Sequence, residues 1–436
     1  MKSRQEVCVI GAGSSGIATC KVLHERGVPF RCFEASDRVG GNWVYDNKNG
    51  MSACYRGLHI NTSKRRMEYP SFPMPDEYPD FPHHTQIAAY FETFVDHFGF
   101  RETIELETRV ESVTRDAGAW RVTTDAGETS EFNTLIVANG HHWSPRLPEL
   151  EGRFDGEVMH SHAYRHADAW AGKRVVVLGI GNSAMDIAVE ASEVADAVFL
   201  AARRGAWILP KYLFGKPADT LPLQPWIPFA VRRWAVEKIL ERVVGHPTDH
   251  GLPAPDHRLG EAHPTISQHI LERIAAGDVA CRPNIERLDA DGIVFVDGSR
   301  ERADVLVCCT GYDVRFPFFD RRFLSAPEND LPLFMRVFHP DHRSLFFVGL
   351  LQPLGAIMPL AEVQSEWIAD TLDGRYALPD PSALAAAMEA ERRVMFERYV
   401  ASPRHTMQVD FDDYLVEVEA ERSRGSERAV RRGATT

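Results

Sequence analysis

Short apolar runs along this chain are broken by glycine clusters, and at each cluster the period of the apolar positions changes from strand-like to helix-like. Over residues 5–35, QEVCVI predicts a strand, GAGSSG a turn, IATCKVLHERG an amphipathic helix, and VPFRCFEAS a second strand ending at Glu34. Near residue 170 the order returns: GKRVVVLGI as strand, GIGNSA at 179–184 as turn, MDIAVEASEVA as helix and DAVFLAARR as strand. Two such units predict an α/β fold with two Rossmann-like dinucleotide-binding domains. Between them lie an aromatic- and proline-rich loop at 69–84, a helix near 85–98, and the strands VESVTRD, AWRVTTD and EFNTLIVANG.

Beyond the second unit, residues 212–262 are less readable and contain one helical stretch, PFAVRRWAVEKILERVV. A hairpin, GIVFVDGSRERAD, then leads into a buried strand, ADVLVCCTGY, at 303–312. The apolar segment 344–361 reads as core, 381–398 as helix, and the closing RSRGSERAVRRGATT as a frayed tail. This order predicts a first domain at 1–160, a second inserted at 161–303, and completion of the first by 304–436.

The two glycine turns carry opposite chemistry at the following strand end. In the first, Gly11, Gly13 and Gly16, with Ala12, Ser14 and Ser15 between them, suit a tight turn, a pyrophosphate at a helix N-terminus, and close helix packing. Glu34, about 20 residues on, is placed to accept hydrogen bonds from a ribose diol. In the second, Gly179, Gly181, Asn182, Ser183 and Ala184 repeat the turn, but the strand ends in Arg203 and Arg204. A carboxylate repels a 2′-phosphate, whereas guanidinium forks bind it. The first domain is therefore expected to take FAD and the inserted one NADPH, which makes the chain a flavin oxidoreductase.

Composition narrows the electron acceptor and the setting. Lys and Arg total 49 against 62 Asp and Glu, a net charge of −13, which disfavours nucleic acid and anionic membranes as partners. MKSRQEVCVIGAG is not a signal peptide, and the 344–361 run is interrupted by Gln352, Pro353 and Pro359, short of the about 20 apolar residues a bilayer helix needs. A soluble, cytoplasmic chain is expected, with a homodimer as the base-rate assembly. The seven cysteines are scattered, as in a reducing compartment. The adjacent Cys308 and Cys309 should face opposite sides of a strand, so a disulfide acceptor is disfavoured. Three histidines, His160, His162 and His166, lack the spacing of a metal site, and no metal is expected.

The segment RFDGEVMHSHAYR places Phe154, Gly156, His160 and Tyr164 in the pattern FxGxxxHxxxY. That pattern resembles the signature of the flavin-containing monooxygenases. GGNW at 40–43, NTSKRRMEYPSFPMP at 61–75, GIGNSAMDIA at 179–188, ARRGAW at 202–207, TGY at 310–312 and VGLLQPLGAIMPLAEVQSEW at 348–367 extend the likeness along most of the chain. The resemblance implies that NADPH reduces FAD, that dioxygen adds at flavin C4a, and that the hydroperoxide awaits a soft nucleophile, an amine nitrogen or sulfide sulfur.

It also implies residue roles. Asn61 matches the family asparagine beside flavin and nicotinamide, where a neutral amide can hydrogen-bond without donating a proton. Its N-x-S sequon is then fortuitous. Gly40, Gly41 and Trp43 resemble a flavin-contacting turn, Thr62 neighbours Asn61 on the FAD side, and Gln352 lies in the motif that approaches the ring. Thr310 and Gly311 resemble the turn closing the flavin pocket, although CCTGY departs from the more usual ATGY. Phe154, Gly156, His160 and Tyr164 are expected to link the domains near NADP. Relatives that perform Baeyer-Villiger oxidation usually carry Trp where this chain has Tyr164, which favours heteroatom oxygenation. The other readings are ketone oxidation, an NADPH oxidase releasing hydrogen peroxide, and an electron-carrying flavoprotein.

Overall fold

Val7–Ile10 is buried at every position and pairs in parallel with Phe30–Phe33 on one side and Thr134–Val137 on the other. Ile104–Glu105 and Leu345–Phe347 complete this five-stranded sheet. Parallel strands covered on both faces read as apolar runs, which is why Val7–Ile10, Phe30–Phe33 and Thr134–Val137 were legible as strands, while Leu345–Phe347 was legible only as core. The structure, a computed structural model, describes residues 6–220, 229–400 and 406–433. Gln5 of the first strand, residues 221–228 of the less readable stretch, and the last three residues of the tail lie outside the described residues.

The chain divides into two compact units: Met1–Ser52, Lys64–Ser144 and Asp313–Thr436 form the first, and Ala53–Ser63 with Pro145–Tyr312 form the second. The boundaries expected at 160/161 and 303/304 therefore shift. Residues 145–160, 304–312 and the short 53–63 stretch all join the second unit. Strand pairing explains most of this: Glu157–His160 pairs in parallel with Val305–Cys308, which pairs in parallel with Arg174–Leu178. An isolated apolar strand carries no signal in its own residues of which sheet it will join.

In the first unit, the helix Ser14–Glu25 packs on the helix Met358–Leu372. Buried Lys21 Nζ lies 2.9 Å from Glu362 Oε1, and Thr19 Oγ1 lies 2.9 Å from Ser365 Oγ. The 69–84 loop contributes Tyr69, whose hydroxyl donates to the Ser14 carbonyl at 2.5 Å and so fastens the start of that helix. The helix expected near 85–98 is His84–Phe98, capped by His83. Val110–Asp116, Ala119–Thr124 and Thr129–Phe132 form an antiparallel sheet whose inward Trp120, Val122 and Phe132 pack with Phe316, Phe318 and Phe319.

The frayed tail is corrected by the structure: Phe411–Gly433 is a helix. Its charges look solvated in sequence but are partnered in space. Arg422 meets Glu366 at 3.2 Å and Asp370 at 2.7 Å, and Arg428 Nε donates to the Ala377 carbonyl at 2.8 Å. Gly425 is required there, because a Cβ would lie 1.9 Å from the Tyr376 ring.

In the second unit the parallel order is Val279–Arg282, Ala197–Ala201, Arg174–Leu178, Val305–Cys308, Glu157–His160. The helix Asn182–Ser192 follows the second glycine turn. Gly292–Phe295 and Arg300–Arg302 form the expected hairpin. Within the 212–262 stretch, Tyr212–Leu213 pairs with Lys216–Pro217, and a helix spans Phe229–Val243. Among the described residues no helix is long and apolar enough to cross a membrane.

Candidate functional site

The first glycine turn is built by close backbone approach. A Cβ on Gly16 would sit 1.8 Å from the Gly11 carbonyl oxygen, so only glycine lets the helix start directly under the strand. Gly13 differs: its Cβ would meet only Gly41 Cα, at 3.7 Å. The protein's own packing does not demand glycine at Gly13, and its open face is what a pyrophosphate needs. The helix begins at Gly13 with no side-chain cap and no acidic residue in its first turn, which leaves its N-terminus suited to an anion.

Glu34 is buried beside this turn. Its Oε2 accepts the Ala12 N–H at 2.7 Å and its Oε1 the Ser36 N–H at 2.8 Å. Burial pushes its carboxyl above the ordinary range, against the pull of those two amides. Gly40 N–H donates to the Ala12 carbonyl at 3.0 Å, which brings the Gly40, Gly41 and Trp43 turn to the glycine loop. Gln352 sits in the same unit, its backbone N–H donating to the Met407 carbonyl at 2.8 Å. Thr62, Thr310 and Gly311, expected with FAD, fall in the second unit, where the Thr310 hydroxyl donates to the Arg146 carbonyl at 2.5 Å.

The second turn repeats the first. Gly179 has φ +142°, and a Cβ there would lie 2.6 Å from the Cys309 carbonyl oxygen. The helix Asn182–Ser192 also begins at a glycine, Gly181, with no side-chain cap. The Asn182 side chain is turned to the protein, its Oδ1 accepting the Ile266 N–H at 2.8 Å, while Ala184 is buried in the core beneath. Arg203 and Arg204 are both exposed after the strand, but they are not equivalent. Arg204 Nε lies 2.7 Å from Asp256 Oδ2, whereas Arg203 has no ion pair among the described residues.

The signature residues are held inside the second unit. Phe154 packs against one face of the sheet, and a Cβ on Gly156 would lie 2.5 Å from the Asp304 carbonyl oxygen. His160 ends a strand and its Nδ1 accepts the His162 N–H at 3.0 Å, and burial lowers its imidazole to about 4, so the ring is neutral at neutral pH. Tyr164 is fully buried, lies tilted against Trp170 with ring centroids 5.1 Å apart, and donates to Glu190 Oε2 at 2.5 Å. Cys308 and Cys309 pack on opposite faces of their strand, and all seven cysteines are free. No group of three or more His, Cys, Asp or Glu among the described residues could hold a metal ion.

Asn61 lies in the short 53–63 stretch, half-buried, with its Oδ1 buried and without a hydrogen-bond partner. Four side chains hold this stretch, and three of them, Asp168, Lys211 and Asp219, lie outside every motif quoted above. Asp186 Oδ2 accepts the Tyr55 hydroxyl at 2.5 Å, and Asp168 pairs with Arg56 at 2.5 Å. Lys211 Nζ donates to the Ile60 carbonyl at 3.0 Å, and Asp219 Oδ2 accepts the Ser63 N–H at 2.7 Å.

A family model described as flavin-binding monooxygenase-like matches residues 4–424 of this chain. The chain belongs to that family. Flavin-containing monooxygenase 5 of Oryctolagus cuniculus is 36% identical over 438 residues, which cover 95% of this chain and 82% of that one. Dimethylaniline monooxygenase [N-oxide-forming] 2 of Pan troglodytes is 30% identical over 442 residues, 96% of this chain and 82% of that one. Among solved structures, S-allyl-L-cysteine S-oxygenase from Allium sativum is 26% identical with a TM-score of 0.72, covering 96% of this chain and 88% of that one.

As a flavin-binding monooxygenase the protein uses FAD, NADPH and dioxygen, and its two Rossmann-type domains are the FAD and NADPH domains. The buried Glu34 and the open face of Gly13 fit FAD, and the exposed arginines fit NADPH.

The raised Glu34 carboxyl predicts a pH dependence of definite sign for FAD binding. Because its carboxyl is raised in the folded apoprotein, the fold holds more protons than the unfolded chain just above the usual carboxylate range, and apoprotein stability falls as pH rises through that window. Ribose hydroxyls would donate to the ionised form, so FAD affinity is expected to rise with pH across the same window. Titrating apoprotein with FAD over pH checks this, and Glu34→Gln should flatten the profile.

Proposed function

We propose that this monooxygenase oxygenates the nucleophilic nitrogen or sulfur of small molecules, forming amine N-oxides or sulfoxides. The observation that carries it is Asn61: a neutral amide with a buried, unpartnered oxygen, fastened to the NADPH unit. Bound FAD, reduced by NADPH, supplies the two-electron activation of dioxygen. The chain's own residues bind, orient and withhold protons. Glu34 accepts the FAD ribose hydroxyls, and the Gly13 face admits the pyrophosphate. Arg203 supplies a guanidinium fork for the 2′-phosphate of NADPH. Asn61 donates and accepts hydrogen bonds without carrying an acidic proton, so it stabilises a polar group without protonating it.

The neutral His160 uses its Nδ1 to accept the His162 N–H, and the Tyr164 hydroxyl is committed to Glu190. Both support a linking role for the signature, not proton transfer. The relatives named for N-oxide formation and S-oxygenation support the two heteroatoms as targets. The free cysteines support a reducing, cytoplasmic setting, and homodimeric assembly belongs to the same proposal. The test is a panel of trimethylamine, a thioether, indole and a cyclic ketone, with product scored against NADPH consumed. N-oxide or sulfoxide close to one per NADPH is expected. A lactone as the sole product, or hydrogen peroxide alone at saturating substrate, would overturn the proposal.

A further inference from the structure

The stretch that carries Asn61 is chemically tied on both sides to one loop. Residue 60 offers its carbonyl to Lys211 Nζ at 3.0 Å, and residue 63 offers its N–H to Asp219 Oδ2 at 2.7 Å. Lys211 and Asp219 bracket Tyr212–Leu213 and Lys216–Pro217, the small hairpin that follows the arginine pair. The two bonds therefore grip the backbone immediately before and two residues after Asn61. This is a strong way to aim a short side chain, since the amide's direction is set by the backbone that bears it.

The loop is in turn tied to the pyrophosphate turn. Ile208–Leu209, just ahead of Lys211, pairs with Thr265–Ile266. The Thr265 hydroxyl donates to the Ile180 carbonyl at 2.6 Å, and the Ile266 N–H donates to Asn182 Oδ1 at 2.8 Å. Ile180 and Asn182 flank Gly181, where the nucleotide helix begins. A continuous set of hydrogen bonds thus runs from the NADPH turn to both flanks of Asn61, all within the second unit.

Two further observations mark the spot as one that a bound group completes. Asn61 Oδ1, Ser63 Oγ and Asp219 Oδ1 are all buried without a hydrogen-bond partner. Such oxygens are rare unless a ligand or an ordered water fills them. Burial also lowers the Lys211 ammonium below its ordinary value, with Asp186 opposing the shift, so this lysine is placed where solvent does not hold it.

We propose that Asp219 and Lys211 are positioning residues that lock Asn61 to the NADPH-binding unit, so that filling the nucleotide site and aiming the Asn61 amide are one event. The proposal rests on the role given to Asn61 above, and it makes a claim about this chain that does not depend on which substrate is oxygenated.

The experiment compares wild type, Asp219→Ala and Asp219→Asn as FAD-loaded holoenzymes. Amide hydrogen exchange is followed over residues 60–64 with and without NADP+, alongside product per NADPH. In wild type, NADP+ should slow exchange in this segment. Asp219→Ala should lose that protection and give about tenfold less product per NADPH with the NADPH KM little changed. Asp219→Asn keeps an oxygen for the Ser63 N–H and should restore both. Lys211→Met with Lys211→Arg as the rescue provides a second pair should Asp219→Ala fold poorly.

Full NADP+ protection in both Asp219→Ala and Lys211→Met would overturn the proposal, as would Asp219→Asn behaving like Asp219→Ala. If the wild type protects the segment but makes neither N-oxide nor sulfoxide, the substrate reading fails while the lock stands.

Discussion

Asn61→Ala is expected to retain FAD and to consume NADPH, yet to give about a hundredfold less oxygenated product per NADPH than the wild type. The alanine removes an amide whose oxygen is buried and unpartnered, without touching the Glu34 carboxylate or the glycine turns proposed to hold the two nucleotides. Binding should therefore survive while coupling fails. Electrons that no longer reach substrate should appear as hydrogen peroxide. Parallel assays of NADPH loss, product and peroxide check this, and tight coupling in the variant would remove Asn61 from its proposed role. Asn61→Asp should also uncouple, because a carboxyl group adds a charge and a titratable proton where the native amide has neither.

Arg203→Ala is expected to raise the KM for NADPH by about 10- to 100-fold and to leave the KM for NADH nearly unchanged. The reasoning turns on which arginine has a fork to spare. Arg204 already pairs with Asp256, whose carboxyl is held low by His257 and by Arg204 itself. Arg203 has no ion pair among the described residues, so its guanidinium can meet a 2′-phosphate without first leaving a partner. Arg204→Ala should show a smaller rise. Equal effects from both substitutions, or an equal loss with NADH, would show that the phosphate is held elsewhere.

These contrasts separate what was legible early from what was not. The two nucleotide turns were readable because each compresses its chemistry into a few adjacent residues: Gly11 to Gly16 with Glu34, and Gly179 to Ala184 with the arginine pair. The opposite faces of Cys308 and Cys309 followed from strand alternation alone. The split between Arg203 and Arg204 did not, because Asp256 comes from a distant loop. The tail misled for the same reason. Arg422 and Arg428 read as solvated charges until Glu366 and Asp370 arrive from the helix Met358–Leu372 and the Ala377 carbonyl from the loop after it.

By itself, the sequence determined the fold class and the two cofactors, since strand and helix periods, glycine spacing and the charge at a strand end are local properties of the chain, and the FxGxxxHxxxY pattern with the motifs around it carried the resemblance to the monooxygenase family. Tertiary structure alone decided that residues 53–63 join the second unit, that the tail is a packed helix, and that Lys211 and Asp219 flank Asn61. Each of those depends on a hydrogen bond or ion pair between residues far apart in the chain. Such partners leave no periodic trace in either segment, and only the folded backbone brings them within bonding distance.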